Sequence, residues 1–134
     1  MIDIENDIFN VIATAVRTAF PGSYVIGEYV ETPARFPAVT IVEADNRVYR
    51  RMRTENIENA VQSMFEVNVY SNKASGKKAE AKSIANTVDE AFAAIGYTRT
   101  FREQIPNLKD ATIYRIVCRY EAVVDKNLMI YQSE

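Results

Sequence analysis

The chain has 134 residues, 48% of them apolar and 25% charged, with a formal net charge of −2. That length fits one domain with a core of its own, and the charge balance excludes a broadly basic surface for nucleic acid. Histidine is absent and Cys118 is the only cysteine, which removes the commonest general base, the commonest zinc ligand and any intramolecular disulfide.

No apolar run approaches the ~20 residues that span a bilayer. The start Met1-Ile2-Asp3-Ile4-Glu5 is acidic and lacks the basic segment of a secretory signal. The expectation is a soluble protein made in the cytosol, with no membrane partner.

Residues 3–20 read as a helix. Ile4, Ile8, Ile12, Val16 and Phe20 form a four-residue ladder, widened by Phe9, Ala13 and Ala19. Asp3 is the expected N-cap, Glu5 and Asp7 favour the positive end of the helix dipole, and Pro21-Gly22 stops the helix. Ser23–Val30 has strand character, and Thr32–Pro37 is an extended linker because proline biases its predecessor away from helix.

Ala38–Ala44 reads as a strand, with Val39 and Ile41 on one side and Thr40 and Val42 on the other. Asp45-Asn46 is a turn candidate, and Arg47–Arg53 continues as a second strand. The pattern predicts a hairpin over Arg47–Gln62 whose tip projects from the body.

Met64–Ile95 organises the chain. Phe65, Val67 and Val69 alternate with Glu66 and Asn68, the period of a strand with one buried face. The period then lengthens to three and four residues through Ala81, Ile84, Ala85, Val88, Ala91, Phe92 and Ile95, one stripe of a helix that Gly96 closes. Tyr97–Gln104 and Thr112–Val124 read as two more strands, the first with Tyr97, Arg99, Phe101 and Glu103 alternating against Thr98, Thr100 and Arg102. On the longer one, Tyr114, Ile116, Cys118, Tyr120 and Ala122 suit packing under the helices. The alternate set, Ile113, Arg115, Val117, Arg119 and Glu121, suits solvent or a partner. Asp125-Lys126-Asn127 is a turn, and Leu128-Met129-Ile130-Tyr131 is a short apolar ending. The fold expected is α+β: a single largely antiparallel β-sheet with two helices packed on one face, in the order α-β-β-β-α-β-β, with a short extra C-terminal strand.

Chemistry is hard to place on this chain. Ser75-Gly76-Lys77-Lys78 precedes a helix but lacks the first glycine and the final Ser or Thr of a phosphate loop, since Ser71 and Lys78 stand there. Cys118 has no histidine to activate it and reads as a small core residue. No carboxylates fall in a metal or glycosidase pattern. No catalytic residue, cofactor or metal ligand is therefore assigned.

Two features remain. Arg47, Arg50, Arg51 and Arg53 crowd the predicted hairpin. They fit a solvated edge that resists aggregation, a protein contact, or nucleic acid, the last weakened by Glu43, Asp45, Glu55 and Glu58 nearby. Leu128, Met129, Ile130 and Tyr131 either pair into the chain's own sheet or cover a neighbouring subunit.

The chain resembles the tail terminator (tail completion, tail-to-head joining) proteins of long-tailed bacteriophages. The likeness is carried by Phe36-Pro37-Ala38-Val39-Thr40-Ile41-Val42-Glu43, by Phe65-Glu66-Val67-Asn68-Val69-Tyr70-Ser71-Asn72-Lys73, by the helix to Gly96-Tyr97, and by Tyr120-Glu121-Ala122-Val123-Val124-Asp125 with Ile130-Tyr131.

The resemblance implies a non-enzymatic virion protein that forms a homo-oligomeric ring, commonly a hexamer. That ring would cap the tail tube protein, end tube growth and meet the head completion or connector protein, with DNA only passing through its channel. It implies one domain over residues 1–134, with a projecting hairpin around 45–62 and a C-terminal arm at 126–134. Assembly would take place in the host cytoplasm. The alternatives are a head-completion or connector ring of the same virion and, more distantly, a small-molecule enzyme.

Overall fold

The computed structural model describes residues 2–48, 60–107 and 110–132. The elements run α1 (Glu5–Ala19), β1 (Tyr24–Ile26), β2 (Ala38–Val48), β3 (Ala60–Ser71), α2 (Lys77–Ala94), β4 (Thr98–Gln104), β5 (Tyr114–Asp125) and β6 (Ile130–Gln132). One sheet holds all the strands in the order β1-β2-β3-β5-β4, and β6 pairs with β5 beyond the end of β4. Only the β1–β2 pair is parallel. This is the expected α+β architecture and element order.

The hydrophobic alternation decides which face the helices cover. Val39 and Ile41 of β2, Phe65, Val67 and Val69 of β3, and Ile116, Cys118, Tyr120, Ala122 and Val124 of β5 form one cluster with Ile8, Ile12 and Val16 of α1 and Ile84, Val88 and Phe92 of α2. Both helices thus lie on the inner face and pack on each other. At its centre Phe92 stacks on Tyr120, with ring centroids 4.2 Å apart and planes 10° from parallel. Phe65 and Tyr97 meet Phe92 at tilted and edge-on angles. Cys118 is fully buried in this cluster, as a core residue.

Helix ends follow the punctuation of the sequence. α2 closes in a Schellman motif: the Tyr97 N–H reaches the Phe92 carbonyl at 3.0 Å, and the Gly96 N–H reaches that of Ala93 at 3.2 Å. Gly96 stands at φ 95°, which glycine adopts without Cβ strain. At the start of α1, the N-cap is Ile4 rather than Asp3. The Asp3 carboxylate instead accepts the Glu5 N–H at 3.1 Å, so it still satisfies an amide that the helix leaves open.

Four local expectations are corrected. The strand expected over Ser23–Val30 is only Tyr24–Ile26, because from Gly27 the chain leaves the sheet. Asp45-Asn46 is no turn: β2 runs through it to Val48, and the irregularity is a bulge between Glu43 and Asp45. Arg47 consequently belongs to β2, opposite Gln62, rather than to a following strand. On β4 a second bulge, between Arg99 and Phe101, breaks the expected alternation. It turns Arg99 and Arg102 to the same side, where both reach Asp89 of α2 at 2.6 and 3.3 Å. Phe101 goes to the other side, beneath the Arg119 guanidinium.

The Phe92 ring is buried on every side, so Phe92→Ala should lower stability by about 3–5 kcal/mol. Chemical denaturation read by circular dichroism checks this. Cys118→Ala, a smaller excision from the same cluster, should cost less.

Candidate assembly surfaces

The strand register separates the inner face from an outer one. Across β2, β3 and β5 the outer rows are Ala38–Tyr70–Arg115, Thr40–Asn68–Val117, Val42–Glu66–Arg119, Asp45–Met64–Glu121 and Arg47–Gln62–Val123. Tyr131 of β6 extends the last row. Segment 27–37 covers one end of this face. Tyr70 donates its hydroxyl to the Val30 carbonyl at 2.7 Å, Asn107 donates to that of Glu31 at 3.1 Å, and Ala38, Tyr70 and Ile113 form a second small core with Tyr24 and Phe36. The other end keeps its charges matched. Arg119 pairs with Glu66 at 3.1 Å, and Gln62 donates to Glu121 at 3.4 Å. The mixed set Arg115, Val117, Arg119 and Glu121 therefore lies partly under a loop and partly on an open, electrostatically balanced surface.

Arg47 lies at the open end. Its side chain is two-thirds exposed and stands 3.8 Å from the Asp45 carboxylate, a solvated pair that contributes ~0–1 kcal/mol. Arg50, Arg51 and Arg53 lie outside the described residues, as does the hairpin tip.

The apolar ending is divided between two roles. β6 pairs Ile130 with Val124 and Tyr131 with Val123, so the segment joins the chain's own sheet. Ile130 points inward and lies over the closing glycine of α2: a Cβ on Gly96 would stand 3.2 Å from Ile130 Cγ2. Leu128, Met129 and Tyr131 remain exposed, at 41%, 57% and 45% of their surface.

Asp125 organises this turn. Its Oδ1 accepts the N–H groups of Asn127 and Met129 at 2.8 and 2.9 Å, and its Oδ2 accepts the Tyr131 hydroxyl at 3.0 Å. Those bonds, the Met129 amide foremost, hold its carboxyl below the ordinary carboxylate range. The Asp-Lys-Asn sequence marks a turn of this kind, since an aspartate accepting the amide two residues on is an Asx turn. The reach to Met129 and Tyr131 is not visible in sequence.

A partly buried polar network holds the chain's beginning to the β2 bulge. Tyr97 donates to Ser63 Oγ at 3.0 Å, and Ser63 donates to Glu43 Oε2 at 2.9 Å. Asn46 Nδ2 reaches both Glu43 Oε1 and the Ile2 carbonyl, and Glu5 accepts the Glu43 N–H at 2.9 Å. Glu43 and Asp45 do not meet, because the bulge sends them to opposite faces. Burial, with Glu5 and Asp3 adding like charge, raises the Glu43 carboxyl above its ordinary value of 4.5. Burial likewise pushes the Tyr97 phenol up to about 12, so it remains a donor at neutral pH.

At the opposite end of the sheet, Phe36, Pro37, Asn72, Lys73 and Glu80 line an open depression of about 230 Å³. Lys77, from the phosphate-loop-like segment, donates its ammonium to the Thr112 carbonyl at 3.1 Å. Among the described residues no set of acidic or cysteine side chains could hold a metal ion.

The exposed surfaces are an ordered apolar turn, a charge-balanced sheet face and Arg47 near the end of β2. A family profile described as tail completion protein gp17 matches residues 8–125, and the chain belongs to that family. It is a structural tail protein. A chain in the solved structure described as the virion of a native gene transfer agent particle has the same fold, with a TM-score of 0.60 at 16% identity over 87% of this chain and 93% of that one. No curated protein sequence matches it.

Two outcomes follow from the geometry. Gly96→Ala should destabilise by about 1–2 kcal/mol, the cost of a left-handed conformation for a residue with Cβ, and should speed amide exchange in β6 as Ile130 is displaced. Hydrogen exchange read by mass spectrometry checks both. A raised folded-state pKa contributes stability that is full below the unfolded value and is lost as pH rises through the folded one. Wild type should therefore lose stability relative to Glu43→Gln as pH rises from the unfolded value of 4.5 through the folded one, as measured by denaturant midpoints at each pH.

Proposed function

We propose that this tail completion protein forms a closed homo-oligomeric ring, a hexamer. The ring seats on the last layer of the tail tube, stops further tube growth and offers its other side to the head completion or connector protein. Its place is the virion tail, with assembly in the host cytoplasm, and DNA passes through its channel without sequence recognition. The observation that carries the reading is the C-terminal turn: Leu128 and Met129 are exposed on a turn that Asp125 fixes. A fixed apolar projection contributes more to association than a flexible one, because less freedom is lost on binding.

The physical task is discrimination. One side of the ring must match the tube, and the other must refuse further tube subunits. A ring also multiplies weak contacts through avidity. On this reading Arg47, Arg50, Arg51 and Arg53 dock the ring on its neighbours, because arginine pairs bidentately with carboxylates and stacks on aromatic rings. Leu128, Met129, Ile130 and Tyr131 form the arm, whose inward residue Ile130 anchors it while the others reach across a subunit boundary. The balanced outer face agrees with DNA that passes without being gripped.

Particles assembled without this protein should carry overlong tails by electron microscopy. Empty or leaking heads on tails of normal length would instead identify a head-completion ring. Reversing the charge of Arg47 and Arg50 together should abolish joining of purified heads and tails while circular dichroism and melting stay near those of wild type. Normal joining by that variant would remove the arginines from the docking surface.

A further inference from the structure

The C-terminal turn holds an exposed leucine in a conformation that leucine avoids. Leu128 sits at φ 62°, the one positive φ outside glycine among the described residues, at a cost of about 1–2 kcal/mol. Glycine or asparagine would make the same turn with less strain and less apolar surface. The turn persists because it is over-determined: Asp125 accepts from Asn127, Met129 and Tyr131, the Leu128 N–H reaches the Asp125 carbonyl at 2.9 Å, and the Asp125 N–H reaches that of Met129 at 3.0 Å. Strain and apolar exposure at one pre-organised point mark a contact anchor.

The depression at the other end of the sheet has the complementary character. Phe36 and Pro37 supply its apolar wall, Glu80, whose Oε1 accepts the Ser71 hydroxyl at 2.6 Å, supplies a fixed carboxylate, and Asn72 and Lys73 complete the lining. The turn carries Lys126, exposed beside Leu128 and Met129. Methionine is unbranched and fills irregular gaps of this kind. Within one chain the two cannot meet. β3 pairs Ala60 with Asp125 at the turn and Ser71 with Tyr114 at the depression, and a strand of that length separates them by about 35 Å.

We propose that Leu128 and Met129 of one copy seat in the Phe36–Pro37 depression of a second copy, with Lys126 facing Glu80. This is a head-to-tail contact between unlike surfaces, the kind that closes into a ring when the rotation between copies allows. It names the subunit boundary and so rests on the ring reading above.

The test uses the full-length protein in sedimentation velocity over rising concentration. Met129→Glu disables the turn, and Asn72→Trp fills the depression from an exposed position. Each alone should associate at least tenfold more weakly than wild type, with unchanged circular dichroism. Mixed together they should form heterodimers and nothing larger, because each retains the half that the other lacks. Lys126→Glu and Glu80→Lys should each weaken association, and their combination in one chain should restore it.

Single variants that assemble like wild type would overturn the contact and leave the ring reading standing. A mixture that stays monomeric, or a double charge swap that restores nothing, would overturn it equally. Wild type that assembles neither alone nor on purified tail tubes would overturn both readings. If Met129→Glu no longer binds tubes while Asn72→Trp binds them like wild type, the occupant is the tube protein and the proposal is wrong.

Discussion

From Ala60–Asp125 to Ser71–Tyr114, β3 and β5 stay in register for twelve residues without a bulge. A shift of one residue would move Phe65, Val67 and Val69 out of the core and bring Glu66 and Asn68 into it. The rest of the structure depends on that ladder. It places Tyr120 against Phe92, puts Glu66 opposite Arg119 on the outer face, and sets the C-terminal turn and the Phe36–Pro37 depression at opposite ends of one rigid element.

The irregularities lie beside this ladder, in its neighbours. β2 bulges at Ala44 and β4 at Thr100, and each bulge re-aims side chains that a straight strand would have sent elsewhere. At the first, Asp45 goes to the outer face and Asn46 comes to the inner one, where it reaches Glu43 and ties down the Ile2 carbonyl. At the second, Arg99 and Arg102 converge on Asp89, which also accepts the Tyr120 hydroxyl. Both networks join helix to sheet at the margin of the apolar core, where charged groups retain solvent. The core itself therefore needs few polar partners, and the polar groups at its rim are used to fix orientation.

A structural tail protein assembles with other proteins of the virion, and the distribution of order fits that task. The inner face is closed by two helices and aromatic packing. The outer face is half-covered by segment 27–37 and otherwise balanced in charge. Large apolar side chains are exposed together at the C-terminal turn, at Leu128, Met129 and Tyr131, and singly at Val11 and Tyr29.

The layers are legible in the residue pattern. The two-residue period of β3 and β5, the three-to-four-residue stripes of α1 and α2, and the glycine after α2 were enough for an α+β sheet with both helices on one face, because burying those stripes leaves few other arrangements. The pattern also marked Leu128–Tyr131 as an apolar ending without a stated partner. Tertiary structure alone decided the rest. Strand bulges carry no strong local signal, so Asp45-Asn46 read as a turn and Arg99 and Phe101 as neighbours on one face. Asp125 holds Tyr131 six residues away, and Glu43 meets Ser63 and Glu5 from distant parts of the chain. No periodicity encodes such meetings, because they depend on which strands become neighbours and in what register.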